Sequence, residues 1–211
     1  MKPITVSVQL DAADDDGVAQ NQQPSGAADL TLNGALVSGG VATLCAAGME
    51  RQVLVTTAAN ESTKTITIYG TNATGNPISE AITGPNATTG TTTGYFRTIT
   101  RVAVSAAFTG NVKVGTNGVG ATRPVNLDTF GRPEVSIQVD VSGTVNFTVQ
   151  QTLDSIDTVG RTSVDWYSHP DAALAGATAS AQGNYGYIPA FVRCKINSGT
   201  GTATMTLIQA G

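Results

Sequence analysis

The most chemically suggestive segment of the chain is an acidic loop near its start, DAADDDG, residues 11–17. Four carboxylates precede a glycine there: Asp11, Asp14, Asp15 and Asp16, followed by Gly17. Calcium-binding loops place oxygen ligands at alternating positions and end on a bidentate glutamate. These aspartates do not have that spacing, and no glutamate follows at the required distance. The segment is therefore predicted to be a solvated acidic turn, and no metal is assigned to it.

His169 is the single histidine of the chain, and it lies in WYSHPD, residues 166–171. A zinc site would need further histidine or cysteine ligands, and no cysteine is close in sequence. A Ser-His-Asp triad would need a serine on a strained turn such as G-x-S-x-G, which the sequence lacks. His169 is therefore predicted to be a turn residue in front of Pro170.

Three further carboxylates, Asp154, Asp157 and Asp165, are close enough in sequence to raise the question of a glycosidase. Such enzymes place two carboxyl groups on either side of a sugar bond. Aromatic residues make up only 5% of the chain, which is few for lining a sugar cleft. The sequence thus predicts a protein that is not an enzyme, with no catalytic residues and no cofactor.

Aromatic and sulfur side chains are first candidates for the core. Most of the aromatic area belongs to Tyr95, Phe96, Trp166, Tyr167, Tyr185, Tyr187 and Phe191. On strands these side chains are expected to be buried, and a sugar- or partner-binding patch that includes Trp166 is the alternative. Cys45 and Cys194 are expected to be buried thiols, with a disulfide between them as the alternative.

The elements that must position these residues are predicted to be strands. Charged residues make up 12% of the chain, against about 25% in typical domains. Residues 2–10 alternate apolar and polar side chains, with Ile4, Val6, Val8 and Leu10 on one face, as in a half-buried strand. Similar short alternating runs recur along the chain, separated by Gly, Asn and Pro, and include residues 134–141, 144–153 and 202–209. The runs at residues 65–70 and 77–83 are predicted to form a hairpin around the turn at residues 73–76. This pattern predicts an all-β fold with little or no helix, built from two β-sandwich domains of jelly-roll or immunoglobulin-like type in tandem.

The domain boundary is predicted from one Pro- and Gly-rich segment, NGVGATRPVNLDTFGRP, residues 117–133. It gives an N-terminal sandwich of residues 1–123 and a C-terminal sandwich of residues 124–211. The strand at residues 2–10 has two interpretations. It is either an edge strand of its own sandwich or a strand that is added to a neighbouring subunit.

Charge and hydropathy exclude several classes of partner. The net charge is −4 and neither half carries a basic stripe, so nucleic acid is not an expected partner. No stretch reaches the ~18 apolar residues of a membrane span. The first residues, MKPITVSVQL, lack the continuous apolar region of a secretory signal. The protein is therefore expected to be made in a cytoplasm and not exported by that route.

Several phrases of strand and turn resemble a family of known proteins. They are ADLTLNGALVSGGVAT, TITIYGTNATGNPISEAITGP, YFRTITRVAVSAAFTGNVKVGTNGVG, VSGTVNFTVQQTLD with WYSHPD, and INSGTGTATMTLIQAG. Together they are similar to small β-rich virion structural proteins of tailed bacteriophages and prophages. The resemblance extends over nearly the whole chain but includes neither the acidic loop nor Cys45.

The resemblance implies a non-enzymatic component of a phage particle, assembled in the host cytoplasm. The leading expectation is a head decoration, or cement, protein that forms a homo-oligomer and binds the major capsid protein or other virion proteins. The acidic balance suits an outward position better than contact with packaged DNA. A tail, neck or fibre-base protein is the alternative, and a carbohydrate-binding adhesion module is a third.

Overall fold

The computed structural model describes residues 3–130, 134–156 and 164–209. Strands dominate the described residues, and the short 3₁₀ turn Ala172–Leu174 interrupts them. The predicted all-β class is confirmed.

The chain divides into two compact units. The continuous unit is Ala13–Asn117, and the split unit combines Met1–Ala12 with Gly118–Gly211. The first twelve residues thus group with the second half of the sequence, whereas the prediction placed them with the first half. The tandem-sandwich boundary at residues 123 and 124 stays a prediction.

The strands are as follows. The continuous unit holds β2 (Ala19–Gln22), β3 (Ala28–Asp29), β4 (Val37–Ser38), β5 (Val41–Thr43), β6 (Met49–Thr57), β7 (Thr65–Thr71), β8 (Pro77–Thr83), β9 (Thr89–Thr91) and β10 (Thr98–Val104). The strand β11 (Val112–Thr122) begins in this unit and ends in the split unit. The split unit also holds β1 (Ile4–Gln9), β12 (Val125–Asn126), β13 (Val135–Ser142), β14 (Val145–Thr152), β15 (Tyr167–Ser168), β16 (Ala175–Ala177), β17 (Ala181–Tyr185), β18 (Phe191–Gly199) and β19 (Thr202–Gln209).

A four-stranded antiparallel sheet of order β1-β19-β13-β17 forms one layer of the split unit. Strand β1 pairs with β19 along its whole length, from Ile4 opposite Leu207 to Gln9 opposite Thr202. Its alternate side chains Val6 and Val8 are buried, as the sequence pattern predicts. The strand at residues 2–10 is therefore an edge strand within its own chain, one of the two predicted interpretations.

The outward face of this sheet, here called the neutral face, carries small and uncharged polar side chains. Cross-strand hydrogen bonds join Thr5 to Thr206 at 3.1 Å and Ser7 to Thr204 at 2.9 Å. The neutral face contains one carboxylate, Asp140, among thirteen outward positions: Thr5, Ser7, Gln9, Ser136, Gln138, Asp140, Ser142, Gln182, Asn184, Thr202, Thr204, Thr206 and Ile208.

A second sheet contributes to the split unit the strands β15-β14-β18 and, beside β18, the end of β11, with β16 on β14 and β12 on β18. Strands β14 and β18 pair over eight positions, from Val145 opposite Gly199 to Thr152 opposite Phe191. Strand β1 contacts β18, and β14 contacts β19, so the two sheets of this unit pack on each other. Their shared core includes Val139, Phe147, Val149, Cys194 and Met205, all fully buried.

The continuous unit has its own core, which lies among β6, β7, β10 and the first part of β11. Its fully buried side chains include Val53, Val55, Ile66, Ile68 and Phe96. Strands β7 and β8 form the hairpin that the sequence predicts, with Thr71 opposite Pro77 across the turn. Asn72 closes this turn by accepting hydrogen bonds from Thr74 and Asn76 through its Oδ1 atom.

The segment predicted as a linker, residues 117–133, is partly strand. Strand β11 continues to Thr122, where Gly120 pairs with Ile196 and Ala121 with Lys195. Val125 and Asn126 then form β12 beside β18. The glycines break the side-chain alternation without breaking the backbone pairing, which is why the pattern indicated a linker. Residues 131–133 lie outside the described part of the chain.

Candidate functional site

The acidic loop lies at the start of the continuous unit and is bound to β11. The backbone of Asp14 and Thr116 is joined by an N–H···O bond of 2.7 Å, and the Asp14 amide donates to Thr116 Oγ1 at 3.2 Å. The loop lies so close to Gly115 that an added Cβ there would be 2.1 Å from the Asp14 carbonyl oxygen. The sequence therefore folds this loop tightly against the strand.

Three of the four predicted carboxylates come together in this loop. Carboxylate oxygens of Asp14, Asp15 and Asp16 lie within 4.8 Å of one another. The Asp16 amide donates to Asp14 Oδ1 at 3.3 Å, and Lys113 Nζ forms an ion pair with Asp15 at 2.5 Å. Asp11 belongs to the split unit and is not part of the cluster. Lys113 therefore offsets one of the three carboxylates, and a backbone amide binds a second one.

His169 is part of the core of the split unit. It is only 3% exposed, and its ring centroid lies 4.4 Å from that of Tyr185. The Asp171 amide donates to His169 Nδ1 at 3.0 Å, and the His169 amide donates to the Val149 carbonyl at 2.8 Å. The prediction of a turn residue before Pro170 therefore misses its main role, which is to pack against Tyr185.

Burial of this imidazole predicts a stability change with pH. Burial penalises the imidazolium form and lowers the pKa of His169, although the nearby Asp171 partly opposes the shift. Because the folded pKa lies below the ordinary 6.5, the unfolded chain binds the proton more readily. The split unit should thus keep its full stability above pH 6.5 and lose part of it as the pH falls from there toward the folded pKa.

The variant His169→Gln should remove this pH-dependent part of the stability. Glutamine can still accept the hydrogen bond from the Asp171 backbone amide, but it does not titrate. We expect the melting temperature of the wild-type protein to fall more steeply between pH 7.5 and 5.5 than that of the variant. Parallel slopes in the two proteins would contradict the assignment.

A cleft of about 430 Å³ opens at the end of β14 in the split unit. It is lined by Gln151, Thr152, Leu153, Asp154, Asp165, Tyr167 and Tyr187. Strand pairing places Gln151 directly opposite Tyr167. Tyr187 lies in the loop after β17. The side-chain amide of Gln151 donates a hydrogen bond to the Tyr187 hydroxyl.

Two of the three carboxylates suspected from the sequence meet in this cleft. The Asp165 amide donates to Asp154 Oδ2 at 2.9 Å, and the Asp154 amide donates to Thr152 Oγ1 at 3.0 Å. Asp157 lies outside the described residues. Gln151 and Leu153 line the cleft but were not singled out in the sequence, because neither residue type carries a chemical signal without knowledge of the strand pairing.

The aromatic residues divide between core and surface. Tyr95, Phe96 and Tyr185 are buried, as predicted, whereas Tyr167 is 64% and Tyr187 41% exposed. Trp166 is not among the residues that line the cleft. The guanidinium of Arg193 lies 4.1 Å above the centre of its ring, in a cation–π contact. The arginine therefore occupies one face of the ring that the sequence offers, as the alternative to a core position, for a sugar- or partner-binding patch.

The two thiols are buried in different units. Cys45 belongs to the continuous unit and Cys194 to the split unit, where burial raises the pKa of the Cys194 thiol to about 12. Neither forms a disulfide, so the favoured interpretation of buried thiols is confirmed.

No helix among the described residues combines the length and apolar character needed to cross a bilayer. Comparison of the sequence with models of known protein families found no match, and neither did comparison with curated proteins.

Proposed function

We propose that the protein is a non-enzymatic structural component of a tailed-phage virion, and specifically a decoration protein that stabilises the exterior of the head. The observation that carries this proposal is the neutral face of the β1-β19-β13-β17 sheet. Its small hydroxyl and amide side chains can contact another protein with a single charged group, Asp140, to desolvate, and the cores of protein interfaces are depleted of charged residues.

The dimensions of this face indicate how attachment would work. Four strands about 4.8 Å apart and five to eight residues long present roughly 400 Å². Stable pairwise interfaces bury about 800 Å² on each partner. The area of one neutral face is therefore about half of the area that a stable interface buries on each partner. Attachment of the protein requires either a homo-oligomer or contacts outside this face. Linked copies gain affinity through effective concentration, which fits a repeating capsid lattice.

An arginine in the neutral face should weaken attachment. Ser136 is exposed and lies between Asn184 and Ile208 on neighbouring strands, so Ser136→Arg leaves the core intact. We expect occupancy on particles to fall about tenfold or more, because burying an unpaired charge costs at least ~1.4 kcal/mol. The control is Thr100→Arg, at an exposed strand position of the continuous unit.

Imaging of the labelled protein on intact particles tests the location itself. The proposal predicts label over the head, with a copy number comparable to that of the major capsid protein. Label confined to the tail, neck or fibre base, at a few rings of copies, would contradict it and support the alternative.

A further inference from the structure

We propose that the cleft at the end of β14 binds a neutral oligosaccharide, an activity that goes beyond attachment to the virion. The proposal rests on three properties of the cleft: two accessible aromatic rings, a set of oriented hydrogen-bonding groups, and a volume of about 430 Å³. Small-molecule sites in proteins typically measure about 300–1,000 Å³ and combine apolar walls with a few fixed polar groups.

The walls carry two tyrosines whose rings are available to a ligand. Tyr167 is 64% exposed although it lies on a strand, and Tyr187 is 41% exposed. The C–H face of a pyranose ring is weakly apolar and packs on the electron-rich face of an aromatic ring. Tyrosine also keeps a hydroxyl at the edge of the contact, where sugar hydroxyls would lie.

The second ring is held in place before any ligand arrives. The Tyr187 ring contacts the buried ring of Tyr185, with centroids 5.7 Å apart, and its hydroxyl bonds to Gln151. The Ala190 amide, a few residues later, donates to the Thr152 carbonyl at 2.9 Å and fastens the loop to β14. A ring fixed in this way loses little conformational entropy on binding.

The polar groups match the hydroxyls of a sugar. Asp154 and Asp165 provide carboxylate oxygens, and Gln151 provides an amide. A carboxylate accepts two hydrogen bonds side by side, which suits neighbouring hydroxyl donors. Asp154 is oriented by the Asp165 and Thr152 contacts, and among the described residues the Asp165 carboxylate forms no hydrogen bond or ion pair. It is available to a ligand.

The same carboxylates set the class of sugar. Two negative groups in one cleft repel a ligand that carries its own carboxylate, so sialic acids and uronic acids should be excluded. Neutral hexose chains are therefore the expected ligands.

The test measures binding of the intact protein to immobilised maltohexaose, cellohexaose and chitohexaose, with hexagalacturonate as the acidic probe. We expect at least one neutral probe to bind and hexagalacturonate not to bind. Tyr167→Ala should weaken binding about threefold to tenfold, the range given by loss of one aromatic contact. Asp165→Asn should weaken neutral binding and lessen the discrimination against hexagalacturonate.

Phe130→Ala is the matched control, because Phe130 is 98% exposed but does not line the cleft. This variant should bind like the wild type. The proposal is overturned if no neutral probe binds at millimolar concentration, if Tyr167→Ala binds as well as Phe130→Ala, or if hexagalacturonate binds as well as the neutral probes. Because the neutral face is not involved, failure here leaves the decoration role untouched.

Discussion

A fragment of residues 118–211 is expected to be unfolded in water, and a peptide of residues 3–12 added in trans is expected to restore its structure. The reason is β1, which contributes an edge strand to the split unit from the far end of the sequence. Val6 and Val8 on β1 and Leu10 directly after it are between 0% and 7% exposed. Full burial of each is worth about 1.5–3 kcal/mol, so the fragment lacks roughly 6 kcal/mol. Whole domains are stable by only about 5–15 kcal/mol.

Circular dichroism and urea titration of the fragment, with and without the peptide, measure this directly. In the full chain, Val8→Asp should produce a comparable loss because it places a carboxylate in the core. Thr5→Ala is the control, since it removes only the exposed hydrogen bond to Thr206 and should change stability by less than about 1 kcal/mol. A fragment that folds cooperatively without the peptide would contradict the role of β1 and favour the predicted boundary at residue 124.

Removal of the Glu61 carboxylate is expected to cause a large loss of stability in the continuous unit. Glu61 is fully buried, and its Oε1 accepts hydrogen bonds from the amides of Thr109 at 2.8 Å and Gly110 at 2.9 Å. Its other oxygen forms an ion pair with Lys64. Glu61→Ala leaves these donors without their acceptor. We expect the free energy of unfolding to fall by about 3 kcal/mol.

The pH dependence gives an independent readout of this carboxylate. Burial alone would raise the pKa of Glu61, but the bonds from Lys64, Gly110 and Thr109 outweigh it and lower the pKa below the ordinary 4.5. The ionised form therefore stabilises the fold above about pH 4.5, and this contribution is lost as the pH falls through the folded pKa. Glu61→Ala should lack that part of the acid destabilisation.

Glu80 offers a matched comparison, because it also accepts two backbone amides, from Thr93 and Gly94, but is only half-buried. Glu80→Ala should cost clearly less than Glu61→Ala in urea unfolding. Equal losses, or an unchanged acid slope in Glu61→Ala, would show that the buried carboxylate does not anchor the backbone at Thr109 and Gly110.

The sequence predicts those parts of the fold that depend on local pattern. Alternation predicts the strands that became β1, β13, β14 and β19, and the residues around Gly75 predict the β7–β8 hairpin. It does not show that β1 pairs with β19, since the partners are about two hundred residues apart and many alternating strands are equally compatible. The sequence also does not predict that β11 continues to Thr122. The glycines in this part interrupt the alternation of side chains, whereas the backbone pairing does not depend on that alternation.

The cleft was predictable only in fragments. Asp154 and Asp165 are candidates as paired carboxylates, and Tyr167 and Tyr187 as aromatic core residues, but the sequence gives no reason to combine the two sets. The pairing of Gln151 with Tyr167 is what brings them together, and that register is a property of the sheet. The sequence also does not indicate that the Arg193 guanidinium lies over the Trp166 ring.

The most direct test of the decoration role compares the rupture of phage particles with and without this protein under rising temperature and osmotic shock. A ligand that binds only the folded form of a protein stabilises that form by roughly 2.7 kcal/mol at a hundredfold excess over the dissociation constant. Binding of this protein should stabilise the assembled capsid against rupture in the same way. We predict that particles lacking the protein rupture at lower temperature, and that adding back the purified wild-type protein restores their resistance. Asp154→Ala or Asp165→Ala protein should restore it equally well. Particles that are equally robust without the protein would contradict the decoration role.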